Sequence, residues 1–170
     1  MSLSQVPVAA VIGHPINHSK SPQLHNFWLS KFGVNGYYVP LDIDPRNFEK
    51  HIRSLPRLGF VGANVTIPYK EKILKVADKI SDRAAIIGAA NTLTFLSDGK
   101  IYADNTDGYG FIQNIKSKHK DWTAKDGMSV VFGAGGASRA ILGALIEDGA
   151  NDIVLANRTR SRADQLRSDF

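Results

Sequence analysis

From Val130 to Ala140 the chain reads Val-Val-Phe-Gly-Ala-Gly-Gly-Ala-Ser-Arg-Ala. A short β-branched run breaks into glycines and then into a helical pattern, which restricts the fold to strand, tight turn and helix in that order. Ile141, Leu142, Leu145 and Ile146 recur at helical spacing until Gly149, and Ile153-Val154-Leu155-Ala156 supplies the next strand, completing a βαβ unit. Gly133, Ala134, Gly135, Gly136 and Ala137 form its first turn. Glycines there let the backbone come close to a pyrophosphate, whose charge the helix N-terminus favours. Ser138 stands where the third glycine of the dinucleotide fingerprint belongs, so a tight turn without a ligand stays open as a second reading.

The end of the second strand carries Asn157-Arg158-Thr159-Arg160-Ser161-Arg162, with no acid to hold a ribose 2′-hydroxyl. Forked guanidinium groups bind phosphate, so Arg158 and Arg162 suit NADP better than NAD. The alternative is a solvated basic helix start, which the helix dipole opposes.

With 170 residues, 43% hydrophobic and 22% charged, the chain can bury a real core. No apolar run is long enough to span a bilayer, and Met1-Ser2-Leu3-Ser4-Gln5 has no signal pattern, so the cytoplasm is the expected compartment and no membrane partner is expected. Cysteine is absent, which excludes disulfides and thiolate chemistry. The net charge of +5 is dispersed. Lys116, Lys118, His119 and Lys120 gather at a helix end, where cations suit the dipole, so no nucleic-acid partner is expected.

Earlier in the chain, Val8-Ala9-Ala10-Val11-Ile12 predicts a buried strand. Ser21-Pro22 predicts a capped helix start, with Leu24, Phe27, Trp28 and Phe32 as the inner face. Tyr37 to Leu41 is a second strand, and Asp44-Pro45 opens a helix carrying Phe48, Ile52 and Leu55. Phe60 to Thr66 is a third strand, with a helix expected from Pro68 that places Ile73, Leu74 and Ala77 on one face. This alternation implies a mostly parallel sheet with ligands beyond its carboxyl ends. Thr92-Leu93-Thr94-Phe95 and Ile101-Tyr102-Ala103 flank Ser97-Asp98-Gly99 as a hairpin that closes a first domain, residues 1–106. Residues 107–170 then hold a connecting helix, with Phe111, Ile112 and Ile115, and the nucleotide unit.

Three polar groups fall at strand ends. Ser19 and Ser21 can donate to an anion; Ser21 also suits simple helix capping, whereas Ser19 is expected to have no such structural role and is the better site candidate. Asn64 and Thr66 alternate onto one face, with Lys70 after them; Asn91 and then Asp107 follow. Lysine and aspartate in one cleft supply what acid–base chemistry at a carbonyl or alcohol needs, while a solvated Lys70 and a helix-capping Asp107 are the alternatives. No metal-spaced His/Asp/Glu cluster occurs, and no metal is expected.

These groups closely resemble shikimate dehydrogenase. The resemblance rests on Gly13-x-Pro15-x-x-His18-Ser19-x-Ser21-Pro22-x-x-His25-Asn26, Asn64-Val65-Thr66-x-Pro68-x-Lys70, Ala90-Asn91-Thr92, Asn105-Thr106-Asp107-Gly108, Gly133-Ala134-Gly135-Gly136-Ala137 and Asn157-Arg158-Thr159, six motifs in order. It implies an α/β fold: an N-terminal βα substrate-binding domain with a mostly parallel sheet, then a partial Rossmann NADP-binding domain. It implies NADPH-dependent, reversible reduction of 3-dehydroshikimate to shikimate on the way to chorismate and the aromatic amino acids. Ser19 and Ser21 resemble the serines that hold the substrate carboxylate; Asn64, Thr66, Asn91 and Asp107 resemble its hydroxyl partners; Lys70 and Asp107 resemble the catalytic pair. His18 and His25 are read as structural. The cofactor would rest on Gly133 to Ala137, Asn157, Arg158, Thr159 and Arg162. A quinate/shikimate enzyme and a folate dehydrogenase are the rivals, the serine motif speaking against the latter. The chain stops at Phe170, part-way through a helix with Ala163, Leu166 and Phe170 on one face, so a truncated form is expected, and a fragment that binds shikimate without turnover is a further rival. The sequence leaves the assembly open, with a homodimer carried forward.

Overall fold

In the computed structural model, residues 6–170 are described, and the first five residues, read above for a signal pattern, lie outside them. The chain folds into two compact units. One runs to Ser81 and resumes over Ala90–Asp104, and the other takes Asp82–Ala89 and Asn105–Phe170.

In the first unit the apolar run forms β1 (Val8–Gly13), with Ala10, Val11 and Ile12 buried as a central parallel strand requires. It lies between β2 (Tyr37–Asp42) and β3 (Phe60–Val65), parallel to both. The hairpin of β5 (Thr92–Phe95) and β6 (Ile101–Asp104) adds to β3 antiparallel, and a two-residue strand, β4 (Lys79–Ile80), pairs in parallel with β6. Strand order is β2-β1-β3-β5-β6-β4, and three of the five pairings are parallel. Asp44 caps the turn before α2 (Phe48–Ser54) by accepting from the Arg46 amide at 2.8 Å, and Phe48, Ile52 and Leu55 are buried as expected.

The first helix, α1 (Ser21–Lys31), corrects the expectation from periodicity. Leu24, Phe27, Trp28 and Phe32 are 43–69% exposed. The face that meets the sheet is made by His25, stacked on Tyr38, and Leu29, packed with Val11, Ile16 and Tyr38. Periodicity identifies an apolar stripe but not the side to which the chain's connections turn the helix. The second correction is Pro68. Ile67–Pro68 is a cis peptide within a turn, and the helical segment that follows is a 3₁₀ turn, Lys72–Lys75. Ile73 and Val76 are the buried residues of this segment, whereas Leu74 and Ala77 are only half-buried.

In the second unit a helix that the residue pattern did not signal, α3 (Asp82–Ile87), joins α4 (Asp107–Lys118), β7 (Ser129–Phe132), α5 (Gly136–Glu147), β8 (Ile153–Ala156) and α6 (Arg160–Asp169). β7 and β8 pair in parallel, and Ile112, Val131, Leu142, Leu145 and Leu166 form the core. Gly149 stops α5 with φ +92°, a conformation that favours glycine. Gly108 has a packing reason of its own: a Cβ there would lie 2.6 Å from the Ala140 carbonyl oxygen, so its absence lets α4 and α5 approach. Phe170 stays 42% exposed while Leu166 is buried. Among the described residues, no helix is long and apolar enough to cross a membrane.

Asp148 ties α5 to the segment before β7. Its carboxylate pairs with the Lys116 ammonium and accepts from the Ala124 amide at 2.9 Å. The Lys116 hydrogen bond, followed by the Ala124 amide, holds its pKa below the usual carboxylate value. Because the folded pKa is depressed, the stabilisation is present above the unfolded pKa of about 3.9 and fades as pH falls through the folded value. Asp148→Ala should therefore lower unfolding stability by about 1–2 kcal/mol at neutral pH. In denaturant titrations the gap to wild type should stay constant down to about pH 4 and close below it; a gap independent of pH would refute the assignment.

Candidate active site

The carboxyl ends of β1 and β3 are drawn together by backbone pairing, with a glycine packed closely between them. The Thr66 amide donates to Ile12 O at 2.9 Å and the His14 amide to Ile67 O at 3.1 Å. A Cβ on Gly13 would stand 2.7 Å from Ile16 Cδ1, 2.8 Å from Thr66 Cγ2 and 3.0 Å from Ile67 O. Since Ile16 is itself buried, Gly13→Ala should cost about 1–3 kcal/mol of stability, measured by thermal unfolding, and a change within error would show that the two loops part easily.

After β1, a cis His14–Pro15 bond and a turn closed by the Ser19 amide on Ile16 O lead into α1. Here the capping roles differ from those expected. Ser21 is the first helical residue and Lys20 the N-cap, whereas Ser19 Oγ accepts from the Ser21 amide at 3.3 Å. Ser19 thus has the local structural role that sequence reasoning gave to Ser21, and both side chains are half-buried at the helix start.

After β3, Tyr69 is anchored beneath the turn, its hydroxyl bonded to Ile43 O and its ring stacked on Phe48 at 4.1 Å. Lys70, half-buried, follows in the turn rather than in a helix, and its carbonyl accepts from the Ala90 amide at 2.8 Å. The next residue, Asn91, gives its carbonyl to the Val65 amide at 2.8 Å and its amide to Asp104 O at 3.0 Å. Thus Ser19, Asn64, Thr66, Lys70 and Asn91 are carried on loops and strand ends, and Ser21 on the first turn of α1, within one unit. Asp107 belongs to the second unit, as the first residue of α4. It does not cap that helix; Asn105 Oδ1 accepts the Asp107 amide at 3.0 Å, while Asn105 Nδ2 donates to Ala89 O at 2.8 Å. Asn105 is fully buried, a role that the sequence motif held without revealing.

In the second unit, Gly133 adopts φ +112° and donates to Ala156 O at 2.7 Å, so the turn after β7 is clamped to the end of β8. Ser138 is buried beneath it, its Oγ 3.1 Å from where a Gly133 Cβ would stand. A side chain at Gly133 would therefore crowd the Ser138 hydroxyl. Gly135, the N-cap of α5, has no side-chain cap, and a Cβ there would meet nothing within 4 Å. Such a helix start, with its amides uncapped and open space above, fits a pyrophosphate. Asn157 Nδ2 donates to Thr159 O at 2.7 Å and shapes the turn into α6. Arg158 and Arg162 are exposed, and among the described residues neither forms an ion pair, as a site for an added phosphate requires. These residues fit NADP.

Residues 11–93 match the family described as "Shikimate dehydrogenase substrate binding domain", and residues 114–170 match "Shikimate / quinate 5-dehydrogenase". The chain belongs to the shikimate dehydrogenase family. Across all 170 residues it is 57% identical to the shikimate dehydrogenase (NADP(+)) of Roseobacter denitrificans and spans 61% of that relative's length. It superposes with a TM-score of 0.91 on the shikimate dehydrogenase of Aquifex aeolicus, at 39% identity, covering 100% of this chain and 62% of that one. The Thermus thermophilus shikimate 5-dehydrogenase, solved with NADP(H) and shikimate, matches with a TM-score of 0.85 at 36% identity, over 95% of this chain and 60% of that one. The α/β fold with its mostly parallel sheet and partial Rossmann unit, expected from sequence, is therefore that of shikimate dehydrogenases.

Proposed function

We propose that the chain serves the NADPH-dependent, reversible reduction of 3-dehydroshikimate to shikimate, on the cytoplasmic route to chorismate and the aromatic amino acids. The observation that carries this reading is the backbone bonding of Lys70 O to the Ala90 amide and of Asn91 O to the Val65 amide, which gathers polar side chains at the carboxyl ends of β1 and β3. Substrate contacts fall within residues 1–106 and cofactor contacts within 107–170, apart from Asp107, which serves the substrate.

Ser19 and Ser21 hold the carboxylate with their hydroxyls, aided by amides at the start of α1. Asn64, Thr66, Asn91 and Asp107 take the ring hydroxyls. Gly133 to Ala137, Asn157, Arg158, Thr159 and Arg162 would hold NADPH, which would supply the hydride that the ring carbonyl carbon accepts. The Lys70 ammonium polarises the carbonyl oxygen and gives it a proton, and the Asp107 carboxylate orients that exchange. No metal is needed, because the ammonium stabilises the developing alkoxide.

NADPH formation from shikimate and NADP by the 170-residue chain, run beside NAD and quinate, tests the reading. Turnover with shikimate and NADP is the expected result. Shikimate binding without turnover would mark a binding form, and quinate turnover would widen the substrate class as the second family description suggests. Absence of both binding and turnover would overturn the roles of Ser19, Lys70 and Asp107. A homodimer remains the assembly carried forward; light scattering that gives the mass of one chain would remove it.

A further inference from the structure

Tyr38 and Asn64 lie on β2 and β3, which are not neighbours because β1 runs between them. Tyr38 stands beside Ala9 and Asn64 beside Val11, and Ala9 and Val11 are two apart on β1, so all four side chains share one face of the sheet. The small side chain of Ala9 leaves room for the phenol to reach across, and its hydroxyl donates to Asn64 Oδ1 at 2.7 Å. The other end of the amide decides its orientation. Asn64 Nδ2 lies 3.3 Å from the Asn91 carbonyl, which can only accept, so nitrogen must face Asn91 and oxygen must face Tyr38. The Thr92 hydroxyl donates to Asn91 Oδ1 at 2.8 Å and extends the chain of bonds to the second asparagine.

Tyr38 is itself fixed from behind. The Asn26 side chain grips its backbone on both sides, donating to Tyr38 O at 2.8 Å and accepting from its amide at 2.9 Å. The His25 ring stacks on the phenol at 4.1 Å and 7°. His25 and Asn26, the end of the first sequence motif, thus find their use at Tyr38. Burial pushes the phenol up to about 12, so it remains a hydrogen-bond donor throughout the neutral range.

We propose that Tyr38 is a positioning residue of the substrate site, holding the Asn64 amide in one orientation and linking α1, which starts at Ser21, to the Asn64–Asn91 edge. This rests on the reading of Asn64 and Asn91 as substrate contacts. Tyr38→Phe keeps the ring, the histidine stack and the Asn26 clamp and removes one hydroxyl.

Shikimate affinity of the 170-residue chain, measured by calorimetry, should fall about fivefold in Tyr38→Phe, the size of one neutral hydrogen bond. In an Asn64→Ala background the same substitution should change affinity by less than about twofold, because the partner is already gone. An equal loss in both backgrounds, as a merely structural role would give, overturns the proposal, and so does no loss in the wild-type background. If the wild-type chain binds no shikimate, the functional reading has failed, and the positioning of Asn64 is decided separately by NMR without ligand. The Asn64 side-chain NH₂ signals should then shift in Tyr38→Phe; unmoved signals would overturn the positioning role.

Discussion

Lys70→Ala should lower NADPH formation from shikimate and NADP by about 10²–10⁴-fold, the range of a lost general acid, while shikimate binds within about threefold of wild type. The argument for so unequal an effect is geometric. Lys70 is held by its backbone, through the Ala90 amide on its carbonyl, and the turn before it is anchored by Tyr69 beneath. Cutting the side chain at Cβ leaves both of these anchors intact. What disappears is an ammonium in a half-buried position, able to polarise a carbonyl and return a proton to an alkoxide. On the proposed reading, binding of the ground state depends instead on the hydroxyls and amides of Ser19, Ser21, Asn64 and Asn91. Turnover and affinity measured on the same preparation decide the matter, and lost binding with unchanged turnover would sink the assignment.

The second large effect is expected at the cofactor. Replacing Arg158 and Arg162 together by alanine should weaken NADP binding by about 10–100-fold, the span of one or two charge-assisted hydrogen bonds, and change NAD binding by less than about threefold. The two cofactors differ only by the 2′-phosphate, so the ratio isolates that contact from the rest of the site. Both arginines are exposed, and among the described residues neither is engaged in an ion pair, so their loss should barely alter stability. Equal losses for NADP and NAD, measured by fluorescence titration, would show a general field effect; no loss for either would restore the solvated helix start.

Much of the fold follows from local signals. The apolar run at Val8, the proline and aspartate before α2, and the positive-φ glycine after α5 each act over a few residues, and each element appears where those signals place it. The six motifs were likewise visible, because shared chemistry leaves the same residues in the same order. Sequence reasoning failed where the deciding partner lies far along the chain. The stripe Leu24, Phe27, Trp28 and Phe32 looked like a core face, yet α1 is turned by the Asn26 clamp on Tyr38 and buries His25 and Leu29 toward the sheet. Pro68 looked like a helix start because it is one in most contexts, whereas here the chain turns, anchored by Tyr69 on Phe48 and the Ile43 carbonyl, and only a 3₁₀ turn follows at Lys72–Lys75.

By itself, then, the sequence determined most of the strands and helices, though not α3 or β4, together with the βαβ turn with its glycines, the family and the candidate side chains, since all of these are set by residue type and short spacing. Only the tertiary structure decided that Asp82–Ala89 joins the second unit, that the hairpin enters the first sheet antiparallel to β3, that Ser19 rather than Ser21 accepts the amide at the start of α1, and that Tyr38 reaches Asn64 across β1. Each of these depends on strand register and on contacts between residues distant in sequence, where a shift of a single residue would move every side chain to the opposite face.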